Sequence, residues 1–321
     1  MSNALKELSR YYRKSCLNAN PGKTQALAFH LKNHLAKRTL NLTWESKPLK
    51  KTPFPVYLGV TLDRTLSFSE HVSKLRKKLS FRNNLVSNLA STKWGADAET
   101  LRTTSLALCY STAEYCSAVW ERSAHAHKVN TELNKCCRTI TGTLKATPLH
   151  ALYALSGIAP PNIRRETIAK IEQKKRVTDA RHPLHGHRAV NQRLASRRSF
   201  DCVNQLGAIT PAAYRRRKWL ESYDYHNEAV PDPSEDLPPG THLPRRLWVA
   251  LNRARSKVAK TGDNMVRWGL ADNARCDCGE TVQTLDHLLR YCPAGPRCTD
   301  EDLRAANASA HRWLERWSDK L

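Results

Sequence analysis

The apolar positions near the start of the chain follow first a helical and then a strand-like period. Apolar side chains recur at helical spacing through residues 5–16, and an Asn-Pro-Gly turn at residues 20–22 stops the run. Three short segments then predict strands, over residues 24–29, 40–44 and 56–63, and the second of them alternates cleanly between apolar and polar residues. The last is predicted as a buried strand that ends in a turn. We therefore expect residues 1–68 to form a helix and a small β element that is incomplete by itself.

From residue 69 onward the period is helical. Three apolar stripes follow one another: Val72, Leu75, Leu79, Val86 and Leu89; Leu101, Leu108, Cys116 and Val119; and Val129, Leu133, Cys136 or Cys137, and Ile140. The second stripe belongs to a helix predicted over residues 97–120. Three amphipathic helices joined by short segments predict a small bundle over residues 69–145.

The rest of the chain is predicted to be helical with two exposed segments. Further helices are expected over residues 148–155, 163–178, 243–260 and 299–317. Residues 181–198 are rich in His and Arg without periodicity, which predicts an exposed loop or a frayed helix. Five prolines with acidic residues between them predict an exposed linker over residues 227–244. The fold class is thus mostly α, with a helical connector and linker over residues 146–240 and a C-terminal module over residues 241–321.

Charge changes this picture by indicating a partner. The 321-residue chain has 53 basic and 29 acidic residues and a formal net charge of +24, which favours polyanions, nucleic acid before an acidic membrane surface. No apolar run is long enough to span a membrane, and no secretory segment is present at the N-terminus. We expect RNA or DNA as partner, no membrane association, and a nuclear or cytoplasmic location. The ten cysteines are then thiols or metal ligands and not disulfides.

Four of these side chains have the spacing of a zinc site. Cys276, Cys278, His287 and Cys292 form a C-x-C-x8-H-x4-C pattern, with Gly279 where a knuckle needs a positive φ. A tight turn supplies the first two ligands, and a helix over residues 285–291 presents the others. Four protein ligands leave no open position for water, which predicts a structural zinc site. The single residue between the first two cysteines departs from the usual spacing, and Cys298 is an alternative ligand.

Other motifs lead to weaker hypotheses. Gly22-Lys23-Thr24 resembles the end of a phosphate-binding loop, but Leu17 occupies the position of its first glycine. No G-x-S-x-G motif is present. Three closely spaced histidines fit a solvated basic loop better than a metal cluster: His182, His185 and His187.

Two groups of basic residues are predicted to contact phosphates. Lys74, Lys77, Lys78 and Arg82 lie on the predicted helix that contains Val72, and almost no acidic residue interrupts them. The second group lies in the C-terminal module beside the zinc motif: Arg245, Arg246, Arg253 and Arg255.

A set of ordered blocks resembles one protein family. The blocks are residues 17–25 (LNANPGKTQ), 57–63 (YLGVTLD), 242–248 (HLPRRLW), 251–256 (LNRARS), 268–270 (WGL) and the zinc motif. Their order resembles the C-terminal part of reverse transcriptases from LINE-type, non-LTR retrotransposons, with the jockey-like branch most similar. The resemblance spans nearly the whole chain.

The resemblance implies roles for matching residues. Lys23 would correspond to the palm lysine that assists pyrophosphate departure, and Tyr57, Leu58 and Gly59 to the primer grip. Residues 1–68 would be a palm remnant, residues 69–145 the thumb, and residues 241–321 the zinc-knuckle tail that holds nucleic acid.

One departure from the family is serious. Polymerase chemistry uses two metal ions held by aspartates, and the family's paired aspartates have no counterpart here, since Asp63 and Asp97 stand in other contexts. Magnesium is therefore expected only in the complete family enzyme. We expect an N-terminally truncated reverse transcriptase that binds nucleic acid without polymerising. The alternative hypothesis is an independent zinc-dependent nucleic-acid-binding or regulatory protein.

Overall fold

The computed structural model describes residues 2–30, 32–38, 40–91, 95–187 and 203–321. The longer helices are α1 (Ser2–Lys14), α3 (Ser69–Asn88), α4 (Ala98–Ser105), α7 (Asn130–Thr141), α8 (Leu149–Ser156), α9 (Pro161–Thr178), α10 (Pro211–Glu221), α11 (Arg245–Arg255) and α14 (Ala308–Trp317). The shorter ones are α2 (Asn33–Ala36), α5 (Ser111–Glu114), α6 (Ser117–Trp120), α12 (Gly262–Arg267) and α13 (Asp300–Ala305). The described helices are each too short or too polar to cross a bilayer. The mostly helical fold class is confirmed.

The β structure consists of three separate two-stranded pairs in the described chain. The strands are β1 (Gln25–Ala26), β2 (Thr43–Trp44), β3 (Lys47–Pro48), β4 (Lys50–Lys51), β5 (Val56–Tyr57) and β6 (Val60–Thr61). β1 pairs with β4 in parallel, whereas β2 with β3 and β5 with β6 are antiparallel. Buried Trp44 lies 5.9 Å from the ring of Tyr12 and anchors α1 to this region.

The prediction of one buried strand over residues 56–63 is wrong. β5 and β6 form a hairpin whose two turn residues, Leu58 and Gly59, both have positive φ (45° and 80°). Such a turn matches the twist of the paired strands. The β5 side and the tip are exposed, since Tyr57 and Leu58 retain 68% and 70% of their accessible surface. Local alternation cannot reveal that the chain reverses after two residues.

The bundle core forms where two of the predicted stripes place it. Val72, Leu75, Leu79 and Val86 are buried on α3, although Leu89, just beyond the end of α3, remains 43% exposed. The α7 stripe, including both Cys136 and Cys137, is buried as well. These faces pack together because apolar residues three and four positions apart share one side of a helix.

The predicted helix over residues 97–120 is interrupted twice. A π-helical turn at Leu106–Tyr110 follows α4, and Cys116 (φ 50°) ends the helical run before α6. The extra residue of a π turn rotates the following side chains out of a 3.6-residue register. Leu108 and Val119 are therefore exposed, while other residues fill the core: Cys109, Tyr110, Ala113 and Trp120.

The C-terminal module packs α11 against α13 and α14. Three tryptophans are buried there, Trp248, Trp313 and Trp317. The predicted helix over residues 299–317 is two helices, because Ala306 adopts positive φ (51°) and Asn307 caps α14 through bonds to the N–H groups of Ser309 and Ala310. The indole of Trp248 donates to the Ile140 carbonyl at the end of α7, so the module is attached to the bundle.

The linker predicted over residues 227–244 is wrong, because much of this segment is packed into the fold. Ala229 and Val230 are buried in apolar clusters. Arg102 of α4 donates to the carbonyls of both Gly157 and Glu235. Prolines indicate a segment without regular structure, but they do not decide whether that segment is covered. Of the loop predicted over residues 181–198, only residues 181–187 are described, and they form turns.

Candidate metal centre and basic surfaces

A tight turn presents the first two cysteines of the zinc motif. The backbone N–H of Cys276 donates to Glu280 O (3.0 Å), and that of Gly279 donates to Cys276 O (3.0 Å). Gly279 has φ +98°, the conformation predicted for it. The turn directs the Cys276 and Cys278 side chains to the same side, where their Sγ atoms belong to one cluster.

A short helical segment brings His287 and Cys292 to this turn. Residues 287–291 form a π turn in which the Cys292 N–H donates to His287 O (2.7 Å), and the Thr284 hydroxyl accepts from the His287 N–H (3.0 Å). The indole of Trp313 donates to Leu288 O (2.8 Å) and fixes the segment against α14. The predicted helix over residues 285–291 is confirmed. Its π geometry places His287 and Cys292, which are five residues apart, on the same side of the segment.

The four side chains have the geometry of a metal site. The ligand atoms of Cys276, Cys278, His287 and Cys292 all lie within 4.8 Å of one another. Cys276 Sγ and Cys292 Sγ are 3.8 Å apart, and Cys278 Sγ lies 3.3 Å from His287 Nε2. A tetrahedral zinc with bonds of about 2.3 Å to sulfur has S···S edges of about 3.8 Å. This donor set could hold a metal such as zinc.

The environment of the cluster favours ionisation of one thiol. Burial opposes ionisation of Cys276, but the Cys278 backbone N–H and the Gln283 side chain stabilise the thiolate, and the pKa of Cys276 falls to about 7. Burial raises the pKa of Cys292 to about 11. No ligand-spacing rule points to Gln283, whose amide donates to Cys276 Sγ at 3.6 Å. The Cys298 thiol instead donates to the Thr299 carbonyl (3.6 Å) and lies outside the cluster.

The residues expected to handle the primer lie in the N-terminal region. Lys23 is exposed, and its N–H donates to the Asn20 carbonyl (3.1 Å). The hairpin tip carries Tyr57, Leu58 and Gly59, and the Tyr115 hydroxyl donates to Leu58 O (3.0 Å). The α5–α6 junction therefore supports the tip from the bundle side.

The basic residues of α3 divide into free and bound cations. Lys77 and Lys78 are exposed, as is Lys74, whose ammonium lies 3.8 Å from Glu70. The Arg82 guanidinium instead donates to Leu108 O and the Thr112 hydroxyl. Arg82 thus joins α3 to the π turn, whereas the three lysines, like Arg76, face solvent.

The C-terminal arginines have different surroundings from those predicted. Arg255 is fully buried, and Arg245 is buried with bonds to the carbonyls of Thr139 and Ile140. Arg253 is half-buried and donates to Gly142 O (3.0 Å). Only Arg246 of the four is exposed, and it pairs with Asp319 (2.9 Å). The prediction of direct phosphate contact is corrected for Arg255, because its guanidinium is enclosed by the fold.

Two aspartates outside the expected metal-binding context have structural partners. Asp63 accepts hydrogen bonds from the backbone N–H groups of Thr65 and Ser67 and from both hydroxyls. Asp97 caps α4 by accepting from the Thr100 N–H (2.7 Å). Burial opposes ionisation of Asp63, but these bonds prevail and lower its pKa.

The chain is similar in sequence to a known retrotransposon protein. No protein-family profile matches it, and no solved structure matches it. It is 31% identical over 254 residues to the "Retrovirus-related Pol polyprotein from type-1 retrotransposable element R1 4" of Nasonia vitripennis. The match covers 76% of this chain and 62% of the relative, so the chain spans under two thirds of that protein's length. This similarity supports a non-LTR retrotransposon origin for the chain.

Proposed function

We propose that the chain is the C-terminal part of a non-LTR retrotransposon reverse transcriptase, of the jockey-like branch, and that it binds RNA or DNA. The observation that carries the proposal is the convergence of Cys276, Cys278, His287 and Cys292. It occurs in a chain of net charge +24 with similarity to a retrotransposon Pol polyprotein.

The metal in this proposal is a structural zinc ion. Three thiolates and one imidazole complete a tetrahedron and leave no position for a reactive water. The ligands come from one turn and one helical segment. Metal binding of this kind stabilises the folded loop by roughly 10–16 kcal/mol in isolated zinc-finger peptides at neutral pH. The zinc would fix the surface that the module presents.

Nucleic acid would bind mainly through exposed cations. Lys74, Lys77 and Lys78 occupy one face of α3, and Arg246 lies at the start of α11. Each phosphate that such a cation neutralises releases counterions, which contributes about −0.7 to −0.9 to the slope of log affinity against log salt. Lysines act as point charges here, so we expect weak sequence selectivity.

The domain roles follow the family resemblance. Residues 1–68 would be the end of the palm, with Lys23 near its active site and the hairpin tip at Tyr57–Gly59 as primer grip. Residues 69–145 would be the thumb. Asp63 and Asp97 are engaged as turn and cap acceptors, so we expect no templated DNA synthesis by this chain alone. Magnesium would enter only in the complete enzyme.

The experiment is a salt series of oligonucleotide binding. Fluorescence anisotropy with labelled RNA, DNA and hybrid duplex is measured for the zinc-loaded chain, for Lys77→Gln with Lys78→Gln, and for Arg216→Gln with Arg217→Gln. Both pairs are adjacent exposed cations on a helix, so the change in net charge is equal. The lysine pair should reduce the salt slope by about 1.4–1.8 units if both contact phosphates. Equal slopes in the two variants, or no binding at low salt, would contradict the proposal.

A further inference from the structure

An open cavity of about 300 Å³ lies between the C-terminal end of α7 and the helix α11. Three arginines line it, Arg138, Arg245 and Arg253, together with Ser87 and Thr143. No acidic residue is among the described residues that line the cavity. Three arginines thus line one solvent-filled space that has no Asp or Glu among its described lining residues.

These arginines donate to backbone oxygens and not to Asp or Glu side chains. Arg245 donates to two carbonyls at the end of α7, and Arg253 to Gly142 O (3.0 Å) and to the main-chain oxygen of Leu321 (3.0 Å). Arg138 donates to Lys145 O (3.3 Å). Elsewhere, half-buried Arg164 pairs with Glu114 at 2.5 Å, so carboxylate pairing is available to arginines in this fold. Around the cavity no Asp or Glu among the described residues pairs with these arginines.

The three arginines also have hydrogen-bond donors that are not used within the protein. Each guanidinium has five N–H donors, and the hydrogen bonds within the protein use only one or two of them in each of the three arginines. The Nε atoms of Arg138 and Arg245 are buried and find no hydrogen-bond partner in the described part of the chain. Burial, and then the nearby charge of Arg253, lower the pKa of Arg245 to about 10, so it stays protonated at neutral pH. A bound anion would relieve this repulsion.

We infer that this cavity binds a phosphate group between Arg138, Arg245 and Arg253. The planar fork of a guanidinium suits the oxygens of a phosphate, and three cations suit its charge. Ser87 and Thr143 also line the cavity and place polar side chains beside the three arginines. The identification of this phosphate as part of a nucleic-acid backbone rests on the proposed function. Free inorganic phosphate offers the same chemistry.

The position of the cavity gives this binding a consequence. Arg138 belongs to the bundle and Arg245 and Arg253 to the C-terminal module, so one phosphate would contact both. A nucleic acid seated there would be held at the junction between the two units. Arg138 is the informative residue because its removal leaves the bonds between α7 and α11 in place.

The test compares Arg138→Gln with Arg138→Lys and with Arg216→Gln, an exposed arginine on α10. Thermal unfolding first establishes that each variant is folded. Binding of inorganic phosphate is measured by calorimetry at constant ionic strength, and binding of a labelled oligonucleotide by anisotropy. Arg138→Gln should weaken phosphate binding about tenfold, the scale of one lost charge-assisted hydrogen bond. The phosphate affinity of Arg138→Lys should lie between those of the wild type and Arg138→Gln, and the affinity of Arg216→Gln should match that of the wild type.

The two probes separate the inference from the proposed function. Parallel loss of phosphate and oligonucleotide affinity in Arg138→Gln, with the salt slope reduced by about 0.7–0.9, supports a nucleic-acid phosphate in the cavity. Loss of phosphate binding alone supports the cavity as a site for free phosphate. If the wild type binds phosphate through Arg138 but binds no oligonucleotide, the cavity stands and the proposed function fails. Phosphate binding that is absent, or unchanged in folded Arg138→Gln, overturns the inference.

Discussion

Replacing Arg255 by methionine tests whether this residue supports the fold or contacts a ligand. Its guanidinium donates to Leu303 O (2.8 Å), Pro239 O (2.8 Å) and Arg304 O (3.0 Å). These bonds cap the end of α13 and attach the proline-rich segment to α11. Methionine has a similar length but no donor. Burial lowers the pKa of Arg255 to about 9, so at neutral pH a buried cation is removed with its bonds.

The size of the effect follows from the acceptors that lose their donor. A buried acceptor left without a partner costs about 1–3 kcal/mol. Three carbonyls lose the Arg255 donor, although Leu303 O keeps the Ala306 N–H (3.3 Å). The desolvation cost of the cation disappears as well, and water reaches part of the site. We expect Arg255→Met to lower the free energy of unfolding by about 3–5 kcal/mol. That is a large part of the 5–15 kcal/mol typical of a folded domain.

Arg246 provides a matched control on the same helix. Its ion pair with Asp319 joins two side chains that are 49% and 81% exposed. Such a pair contributes at most about 1 kcal/mol, so Arg246→Met should change stability little. If Arg246 contacts phosphates, its substitution should instead reduce the salt slope of oligonucleotide binding.

The assay is urea unfolding followed by tryptophan fluorescence, because Trp248, Trp313 and Trp317 are buried in the same module. Zinc is kept in excess for every variant, and the salt slope of binding is measured in parallel. Suppose Arg255→Met unfolds within about 1 kcal/mol of the wild type and flattens the salt slope. The guanidinium would then be at the surface, and the burial on which this reasoning rests would be refuted.

Three further outcomes are expected. Cys278→Ser should lower zinc affinity more than about a hundredfold in a chelator competition, because losing a direct ligand costs more than losing a residue that only supports one. Cys16 is exposed and outside the cluster, so Cys16→Ser should leave zinc affinity unchanged. Burial lowers the pKa of His71, so as the pH falls the unfolded state binds a proton at this residue before the folded state does. The free energy of unfolding should therefore decrease as the pH falls below about 6.5, and His71→Gln should lack this decrease. In Gly142→Ala a Cβ would lie 2.2 Å from Val249 Cγ2 at φ +72°, which should cost about 2–4 kcal/mol in urea unfolding.

The spacing of residues along the sequence predicts the parts of the fold that are formed by neighbouring residues. The buried faces of α3 and α7 follow from apolar residues three and four positions apart, and the metal cluster follows from ligands placed within one turn and one helical segment. The register of residues 97–120 could not be predicted in this way. The residue types do not indicate the π turn at Leu106–Tyr110. This turn rotates the side chains that follow it in the same helical run.

Tertiary contacts explain the remaining differences. Arg245 and Arg255 have the same sequence character as exposed Arg246, but α11 is covered on two sides by α7 and by α13 with α14. Charge alone therefore could not distinguish a structural arginine from a ligand-binding one. Arg138 was not predicted as a site residue, because its proximity to Arg245 and Arg253 arises only when α7 meets α11. The sequence signal available for it is a basic residue in the last turn of α7.

Zinc K-edge absorption spectroscopy on the purified chain, with metal analysis of the same sample, tests the metal centre most directly. We predict one zinc per chain, with three sulfur atoms at about 2.3 Å and one nitrogen at about 2.0–2.1 Å. Cys278→Ser should lose one sulfur from that shell or lose the metal. A chain that contains no zinc, or zinc bound only by oxygen and nitrogen, would contradict the assignment of Cys276, Cys278, His287 and Cys292 as its ligands.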